Sequence, residues 1–380
     1  MINTPKLSRR CATTNRADPV SGGARSGPGG VAPPHVAQRR PVHLGLVLWL
    51  LAGATPAHAQ AIESVGTRAL GMGGAFVAVA DDATATWWNP AGLASGAFLS
   101  ASVEYGQSHA PADLPMVGAA AQNRASGFAV AYPALGISYY GVRLSEVEPA
   151  HPIAASKPSR QDQATGGPVL RSTATSALGA TVGHSLGDHV VVATTIRLLR
   201  AGTVVSTDLT EGSSPELLDR ADEVDVPRET HGDIDLGAML RFRNVRVGGV
   251  VKHVTEPAIG EGADRLVVAR QARVDVALMK EMSATTGVFD SLLGAVDVDL
   301  TETPTVVGAG RRVAVGGEAG FLRSRLLVRA GASADQDMLD TWSAATGASV
   351  AVRTWLFVDG AIEPIGRSRT GWSVALRASF

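Results

Sequence analysis

The sequence has 380 residues, of which 45% are hydrophobic, only 5% are aromatic and 43 are glycine. Its charges nearly balance, with 34 basic and 35 acidic residues, which excludes the strongly basic surface that nucleic-acid binding requires. Abundant glycine and small apolar residues favour many strands joined by tight turns over long helices.

Residues 1–38 form a basic extension rich in Pro, Gly and Ser. Seven Lys or Arg and a single acid, Asp18, fall within the first 40 positions, a composition that does not support a folded core. Either this extension is disordered or translation starts downstream, with Val42 as an alternative start. The only cysteine, Cys11, also lies here, so we expect neither a disulfide framework nor a thiolate metal site further on.

Residues 39–59 have the pattern of a secretory signal. Arg39 and Arg40 precede an apolar run that starts at Leu44 and is too short to span a membrane as a helix. A small-x-small cleavage site ends at Ala59, which predicts export and cleavage there; a membrane anchor is the alternative. The remaining chain has 27 basic and 34 acidic residues, so nucleic acid is not an expected partner.

Residues 60–96 form a Gly/Ala-rich segment with one short helix. Asp81 or Asp82 can cap the first turn of this helix by accepting a backbone N–H, and the run Asn89-Pro90-Ala91-Gly92 ends it. Trp87 and Trp88 come directly before that stop. We expect this pair either to cover an apolar channel or to anchor the segment.

Residues 97–380 alternate between apolar and polar positions with the period of a β-strand. In the stretch DIDLGAMLRFR, for example, Ile234, Leu236 and Leu240 fall on one face. We predict that the polar face points into a lumen and that its acids pair with arginines, because charges in a narrow interior persist only when paired or hydrated. The predicted lumen-facing residues are Asp233, Asp235, Arg241, Arg273, Asp275, Asp297, Asp299, Arg325, Arg329 and Arg377.

Alternation alone leaves two architectures open, a sandwich of two sheets or one closed sheet with its apolar face in lipid. The residues after position 96, at roughly 20 per strand and connection, give about fourteen strands. Phe380 ends the chain on the apolar face, which is typical of a signal for outer-membrane assembly machinery. We therefore predict an all-β, up-and-down antiparallel transmembrane β-barrel over residues 97–380. Tight turns are predicted at 123–126, 186–189 and 243–244.

The stretch GTRALGMGGAFVAVADDATATWWNPAGLA resembles the N-terminal signature of the FadL-like outer-membrane protein superfamily, which includes PorV/PorQ and TraF-like branches. The resemblance implies a fourteen-strand barrel in the outer membrane whose segment 60–96 folds into the lumen as a hatch. Membrane lipid and the assembly machinery are then partners. The hatch and ligand-path residues would be Gly71, Gly73, Gly74, Phe76, Asp81, Asp82, Trp87, Trp88, Asn89 and Pro90.

Two functions follow from this resemblance. One is a channel or transporter for small hydrophobic molecules such as long-chain fatty acids. The other is a non-transporting scaffold whose partners are proteins of a secretion or conjugation system. No cofactor is expected, and the scattered histidines do not predict a metal site.

The run Gly183-His184-Ser185-Leu186-Gly187 matches the G-x-S-x-G nucleophile elbow of serine hydrolases. An elbow requires a helix after the serine, but the following DHVVVATTIRLL is typical of a strand. We therefore expect Ser185 in a hairpin turn and no catalytic residue. A hydrolase that uses Ser185 with Asp225 and His253 is the remote alternative.

Overall fold

The structure is a computed structural model, and it describes most of the chain after residue 64. The predicted extension 1–38 and the predicted signal 39–59 lie outside the described residues. Within the described part of the chain, no helix has the length and apolar character needed to cross a membrane. The described ranges are 65–110, 120–148, 169–206, 214–221, 223–261, 265–282, 289–305, 308–336, 342–366 and 370–380.

Fourteen antiparallel strands close into one barrel, which confirms the predicted fold class. Each barrel strand pairs with the barrel strands before and after it, and the first pairs with the last to close the sheet. The barrel strands are β1 (Ser100–Ala110), β2 (Ala120–Tyr132), β3 (Leu135–Glu148), β4 (Val169–Leu186), β5 (Val190–Ser206), β6 (Glu229–Arg241), β7 (Val245–Lys252), β10 (Gln271–Glu281), β11 (Phe289–Asp299), β14 (Arg312–Phe321), β15 (Leu326–Asp335), β16 (Trp342–Arg353), β17 (Leu356–Gly366) and β18 (Thr370–Ser379).

Two small hairpins interrupt the long connections between barrel strands. Strands β8 (Ala258–Ile259) and β9 (Leu266–Val267) pair between β7 and β10, and β12 (Thr303–Thr305) and β13 (Gly308–Gly310) pair between β11 and β14. Ile259 and Leu266 belong to the main buried apolar cluster of the barrel interior. The first hairpin therefore folds inward from the end where the long connections lie.

Short turns lie at one end of the barrel, here called the tight-turn end, and the longer connections leave from the other, the long-loop end. The turns predicted at 186–189 and 243–244 are present, and they occupy residues 187–189 and 242–244. The turn predicted at 123–126 is wrong, because these residues lie inside β2, which turns into β3 at Pro133-Ala134 instead. Asn123 and Arg124 suggested a turn because they occupy the part of β2 near the long-loop end, where polar residues replace the apolar pattern.

The outer face of the wall is apolar and the inner face is small or polar. On β18, Trp372 and Leu376 point outward and are 42% and 51% exposed, whereas Arg377 and Ser373 point inward and are buried. Aromatic side chains meet in pairs near the tight-turn end, namely Phe98–Tyr132, Phe289–Phe321 and Trp355–Phe380. An apolar outer band edged by aromatic residues is typical of a barrel in a membrane.

Residues 65–99, here called the lumenal segment, run inside the barrel as far as Ser95, and the last residues, which include the exposed Phe98, lead out to β1. The segment contains the helices α1 (Thr67–Gly71) and α2 (Ala85–Trp88) and a 3₁₀ helix over Pro90–Ser95. Helix α1 packs against β15–β18, whereas the 3₁₀ helix packs against β4–β6 on the opposite wall. Because the segment contacts inward-facing residues on both sides, it fills the lumen at this level.

A third helix covers the outside of the barrel near the long-loop end. Helix α3 (Ser214–Ala221), in the β5–β6 connection, packs against β2, β3 and β4. Leu217, Leu218 and Ala221 form a buried cluster with Val147 and other strand residues. Val147 has the same parity as the exposed Tyr139, so the helix lies on the outer face.

Candidate functional site

The lumenal segment follows the inner wall around the barrel, and glycines let the two backbones approach closely. Gly71 lies against Gly347 of β16, and a Cβ added to Gly71 would sit 3.1 Å from the Gly347 Cα. Gly73 has φ +65°, and a Cβ there would lie 2.6 Å from the backbone nitrogen of Ala332. Gly248 of the wall lies against Ala78 of the segment, and a Cβ added to Gly248 would sit 3.0 Å from the Ala78 Cα. These contacts leave no room for a side chain at the interface.

Wall carboxylates accept hydrogen bonds from the backbone of the lumenal segment. Glu104 accepts from Gly66 N at 2.8 Å and from Thr67 N at 3.0 Å. Further round the wall, Asp275 accepts from Ala78 N at 2.7 Å and Asp297 accepts from Val77 N at 3.3 Å. The first N–H groups of helix α1 and those of the turn at Val77 and Ala78 have no partner within a helix, so these acids satisfy donors that would otherwise be buried unpaired.

Arg68 connects the segment to itself and to the wall. Its Nη1 donates to Asp81 at 2.9 Å and to Asp82 at 2.6 Å, and its Nη2 lies 3.5 Å from Glu318 of β14. Glu318 in turn accepts from Arg329 Nε at 2.5 Å. The Arg68 guanidinium also lies over the Phe76 ring at 5.3 Å. Arg68 therefore pairs with two buried acids and with the partly exposed Asp81, while Arg329 and Arg246 supply further positive charge to Glu318 and Asp81.

Asp82 is held ionised inside this cluster. Burial alone would raise its pKa, but Arg68, Arg377 and the hydrogen bonds from Thr84 and Arg68 lower it to about 2. Burial would lower the pKa of Arg68, but its neighbouring acids Asp82, Glu318 and Asp81 raise it well above the ordinary value. Asp82 also caps the turn that leads into helix α2, because its Oδ1 accepts from Thr84 N at 2.9 Å.

Other lumen charges are paired across neighbouring strands. Arg273 of β10 donates to Asp299 of β11 at 2.5 Å and lies 3.5 Å from Asp297. Arg377 of β18 donates to Asp359 of β17 at 2.8 Å. Arg197 of β5 forms an ion pair with Asp235 of β6. Neighbouring antiparallel strands bring these partners together although their sequence positions are far apart.

Trp87 is surrounded by polar side chains on the β3–β7 side of the lumen. Its ring lies 4.5 Å from the Arg197 guanidinium and 4.2 Å from Lys252 Nζ, and it contacts Tyr140 edge-on at 5.3 Å. Among the described residues, the buried Tyr140 hydroxyl and the Arg197 Nε and Nη1 atoms have no hydrogen-bond partner. Hydrogen-bond donors therefore remain available beside Trp87, as they do at Arg329 Nη1 and Nη2 elsewhere in the lumen.

Trp88 and Asn89 anchor the second part of the segment. Trp88 Nε1 donates to Val65 O at 2.9 Å, and its ring meets Phe76 edge-on at 5.9 Å. Asn89 Oδ1 accepts from Ala91 N at 3.1 Å, and its Nδ2 donates to Val77 O at 3.0 Å and to Ala238 O at 3.3 Å. Both tryptophans are buried and therefore anchor the segment to the wall.

The predicted hatch and ligand-path residues all lie in the lumenal segment and are buried or, for Asp81, partly exposed. Phe76 has no exposed surface in this conformation. A ligand therefore reaches Phe76 only if the segment moves. Pro90 starts the 3₁₀ helix directly after the capping Asn89.

Nine of the ten predicted lumen residues point inward. Arg241, for example, donates to Ala94 O of the segment at 2.7 Å. The prediction for Arg325 is wrong, because Arg325 lies exposed in the turn 322–325 at the tight-turn end, before β15 begins. The prediction continued the alternating pattern to Arg325, which precedes the first residue of β15 and lies in the turn, where side chains no longer alternate between the two faces. Phe380 stacks on Trp355 at 5.0 Å on the outer face.

Asp233, Asp235 and His253 lie together, with candidate ligand atoms within 4.8 Å of one another. Several of their polar atoms already have partners, because His253 Nδ1 lies 2.5 Å from Asp233 Oδ2 and Asp235 Oδ1 accepts from His253 N at 3.0 Å, whereas His253 Nε2 has none among the described residues. Arg197 also pairs with Asp235. The group ties the start of the β7–β10 connection to β6, and it does not argue for a metal ion.

Ser185 lies near the tip of the β4–β5 hairpin. It is exposed, and residues 187–189 turn directly into β5 rather than into a helix. His253 is buried against Asp233 and Asp235 on the lumen side. The local structure is therefore a hairpin and lacks the strand-turn-helix geometry of a nucleophile elbow.

Sequence reasoning missed the residues that hold the segment most directly. Arg68 was visible as the one cation within a Gly/Ala-rich stretch, and Glu104 was visible as an acid on the polar face of β1. The sequence carried no signal that Glu318 or Lys252 would meet the segment, because their partners Arg68 and Trp87 lie far away in the chain.

No protein-family profile and no curated protein sequence matches the chain. Solved structures do match it. The Ralstonia pickettii toluene transporter TbuX has a TM-score of 0.54 at 12% identity, covering 84% of this chain and 99% of its own. A Pseudomonas aeruginosa FadL homologue has a TM-score of 0.53 at 12% identity, and the match covers 86% of this chain and 99% of the homologue. The monoaromatic hydrocarbon channel CymD has a TM-score of 0.54 at 12% identity, and the match covers 85% of this chain and 99% of CymD. The chain therefore has a FadL-like fold.

Proposed function

We propose that the protein is an outer-membrane channel for small hydrophobic molecules such as long-chain fatty acids. The observation that carries the proposal is a FadL-like barrel whose lumen is filled by its own N-terminal segment. The similar solved structures are described as a toluene transporter and a monoaromatic hydrocarbon channel. The exposed apolar outer face and the aromatic pairs near the tight-turn end support a membrane location.

The interior supports an apolar cargo. Phe76 and Trp88 share one buried apolar cluster with Ile259 and Leu266 of the β8–β9 hairpin. When the segment and the hairpin separate, apolar surface becomes available between them. The nearby free donors of Arg197 and Tyr140 fit the polar head of an amphiphile.

Transport requires the lumenal segment to move, because its apolar residues are already packed. The polar contacts of Arg68 and Glu104 can exchange for water when the segment shifts, so a displaced state is accessible without breaking the barrel wall. In this mechanism a ligand enters from the long-loop end, lodges against Phe76 and Trp87, and leaves when the segment is displaced.

Deleting residues 60–92 tests the plug. The deletion should raise the leak conductance of the purified barrel in planar bilayers, whereas Gly360→Leu on the outer face of β17 should leave it unchanged. Uptake of a radiolabelled long-chain fatty acid into cells, with and without the full-length protein, tests the cargo. Unchanged conductance in the deletion would argue against the plug, and absent uptake with an intact barrel would argue against the cargo.

A non-transporting scaffold for a secretion or conjugation complex is the second candidate. The ion pairs that tie the segment to the wall, such as Arg68 with Glu318, favour it, since a permanently docked segment needs no exchange. Affinity purification from the native membrane would then recover partner proteins in equal amounts, and deletion of the gene would leave fatty-acid uptake unaffected.

A further inference from the structure

A groove of about 510 Å³ opens at the wall where β7, β10 and β11 meet, near the tight-turn end. Residues that line it include Asn244, Val245, Leu278, Lys280, Leu292 and Gly294. It is distinct from the lumen and from the contacts of the lumenal segment described above.

The groove lies on the outer face of the barrel. Leu278 and Leu292 are 60% and 41% exposed, whereas the alternating residues Ala277 and Ala295 belong to the buried cluster of the lumen. Successive side chains of a strand point to opposite faces, so Leu278, Lys280 and Leu292 face away from the lumen. In a membrane-inserted barrel this face contacts lipid.

A missing side chain and a short strand create the groove. Gly294 pairs with Leu278 in the β10–β11 register, and a Cβ at Gly294 would meet only the Gly316 carbonyl oxygen, at 4.0 Å. On the other side β7 begins at Val245, and beyond it β10 keeps only the bond from Met279 N to Asn244 O at 2.8 Å. The depression is therefore built into the wall.

The chemistry of the groove changes along its length. Leu278, Leu292 and Gly294 form an apolar floor, and Lys280 and Asn244 lie at its tight-turn side. Phe289 and Phe321 meet on the same side at 4.9 Å, which places Lys280 close to the membrane interface. An exposed ammonium on a lipid-facing surface is favourable there because it can pair with a phosphate.

We infer that this groove binds one anionic phospholipid, with an acyl chain along Leu278, Leu292 and Gly294 and its phosphate at Lys280. The site depends on membrane insertion of the barrel but not on transport. It takes a phospholipid of the surrounding bilayer, not a cargo molecule in the lumen.

Native mass spectrometry of the full chain released from vesicles tests the site. The vesicles contain phosphatidylcholine with one tenth phosphatidylglycerol, and the fraction of protein that retains phosphatidylglycerol is measured. Lys280→Gln should lower this fraction about fivefold, the effect of one basic side chain near an anionic lipid surface. Gly294→Leu should abolish it by filling the groove.

Matched variants keep the test specific. Gly360→Leu adds the same side chain at another outward glycine with open space around it, and Arg200→Gln removes an exposed outward cation near the long-loop end. Both should retain lipid as the natural chain does, and heat-dependent gel migration should show every variant folded. The inference is overturned if Gly294→Leu and Gly360→Leu retain equal amounts, or if phosphatidylcholine is retained as well as phosphatidylglycerol.

Discussion

The two halves of the lumenal segment are held in the barrel by different forces. Residues 65–82 combine apolar packing, as at Phe76, with charged contacts through Arg68 and with wall carboxylates such as Glu104 that accept backbone hydrogen bonds. Residues 83–99 are held by buried aromatic and apolar packing and by Asn89. Because charged contacts can be removed by substitution or by protonation, the first half is the part whose attachment these changes should weaken.

Hydrogen exchange of backbone amides measures this difference directly, because it reports the free energy of local opening. Amides at 66–78 report on the first half and amides at 85–96 on the second. The four predictions below compare these two groups in the purified barrel.

Arg68→Ala should have the largest effect. It leaves the buried Asp82 and Glu318 and the partly exposed Asp81 near one another without their shared cation, and breaking a buried ion pair costs about 3–5 kcal/mol. Protection of amides 66–78 should fall by about that amount, while amides 85–96 change by less than about 1 kcal/mol. Equal losses in both halves would show that the segment opens as one unit.

Acidification should release the first half before the second. Because the pKa of Asp82 is lowered from 3.8 to about 2, its stabilising effect is complete above about pH 4 and is lost as the pH falls through about 2. The shift corresponds to about 2.5 kcal/mol. Protection of amides 66–78, corrected for intrinsic exchange, should fall between pH 4 and pH 2.5.

Asp82→Asn is the control for this pH dependence. The variant should show reduced protection of the first half at pH 5 and a weaker change down to pH 2.5, so that the two proteins converge. If the natural chain and Asp82→Asn show parallel curves, another carboxylate governs the acid response.

Asn89→Ala should weaken the second half by about 1–2 kcal/mol, since it removes a helix cap and two interior hydrogen bonds. Asn89→Ser is the matched variant, because it keeps a side-chain acceptor for Ala91 N without burying a charge but loses the amide donor to Val77 O. Protection of Ala91 should therefore drop more in Asn89→Ala than in Asn89→Ser. A drop centred on residues 66–78 would contradict this division.

Trp88→Phe should have the smallest effect. The phenyl ring keeps most of the packing against Phe76, but the indole hydrogen bond to Val65 O is lost. A neutral hydrogen bond contributes about 1 kcal/mol, so protection near residue 65 and within α2 should fall by about that amount. A loss of 3 kcal/mol or more would mean that ring packing, and not the hydrogen bond, holds this contact.

The alternating pattern was a sound guide within strands and failed at their ends. It assigned Asp297 and Arg377 to the lumen, where both are buried. It misplaced Arg325, which lies just outside β15, and it read polar residues inside β2 as a turn. A two-residue period reports on which face a side chain points to, but it does not report where the backbone stops being extended.

The contacts of the lumenal segment were only partly visible beforehand. The short helix, the stop at Asn89 and a capping role for one of Asp81 and Asp82, which the structure gives to Asp82, follow from local residue chemistry. The partners did not, since Thr67 meets Ser373 across 306 positions of the chain and Ala78 meets Asp275 across 197. The groove on the outer face could not be predicted either, because it depends on the strand register that places Gly294 of β11 opposite Leu278 of β10.

The sequence by itself determined that this chain forms many two-faced strands behind a Gly/Ala-rich segment, because hydrophobic alternation and turn chemistry act between near neighbours. Only the tertiary structure decided which acid pairs with which arginine, and that the segment lies against glycines of the wall. Those outcomes depend on strand register and barrel closure, which bring distant residues into contact and which no local pattern specifies.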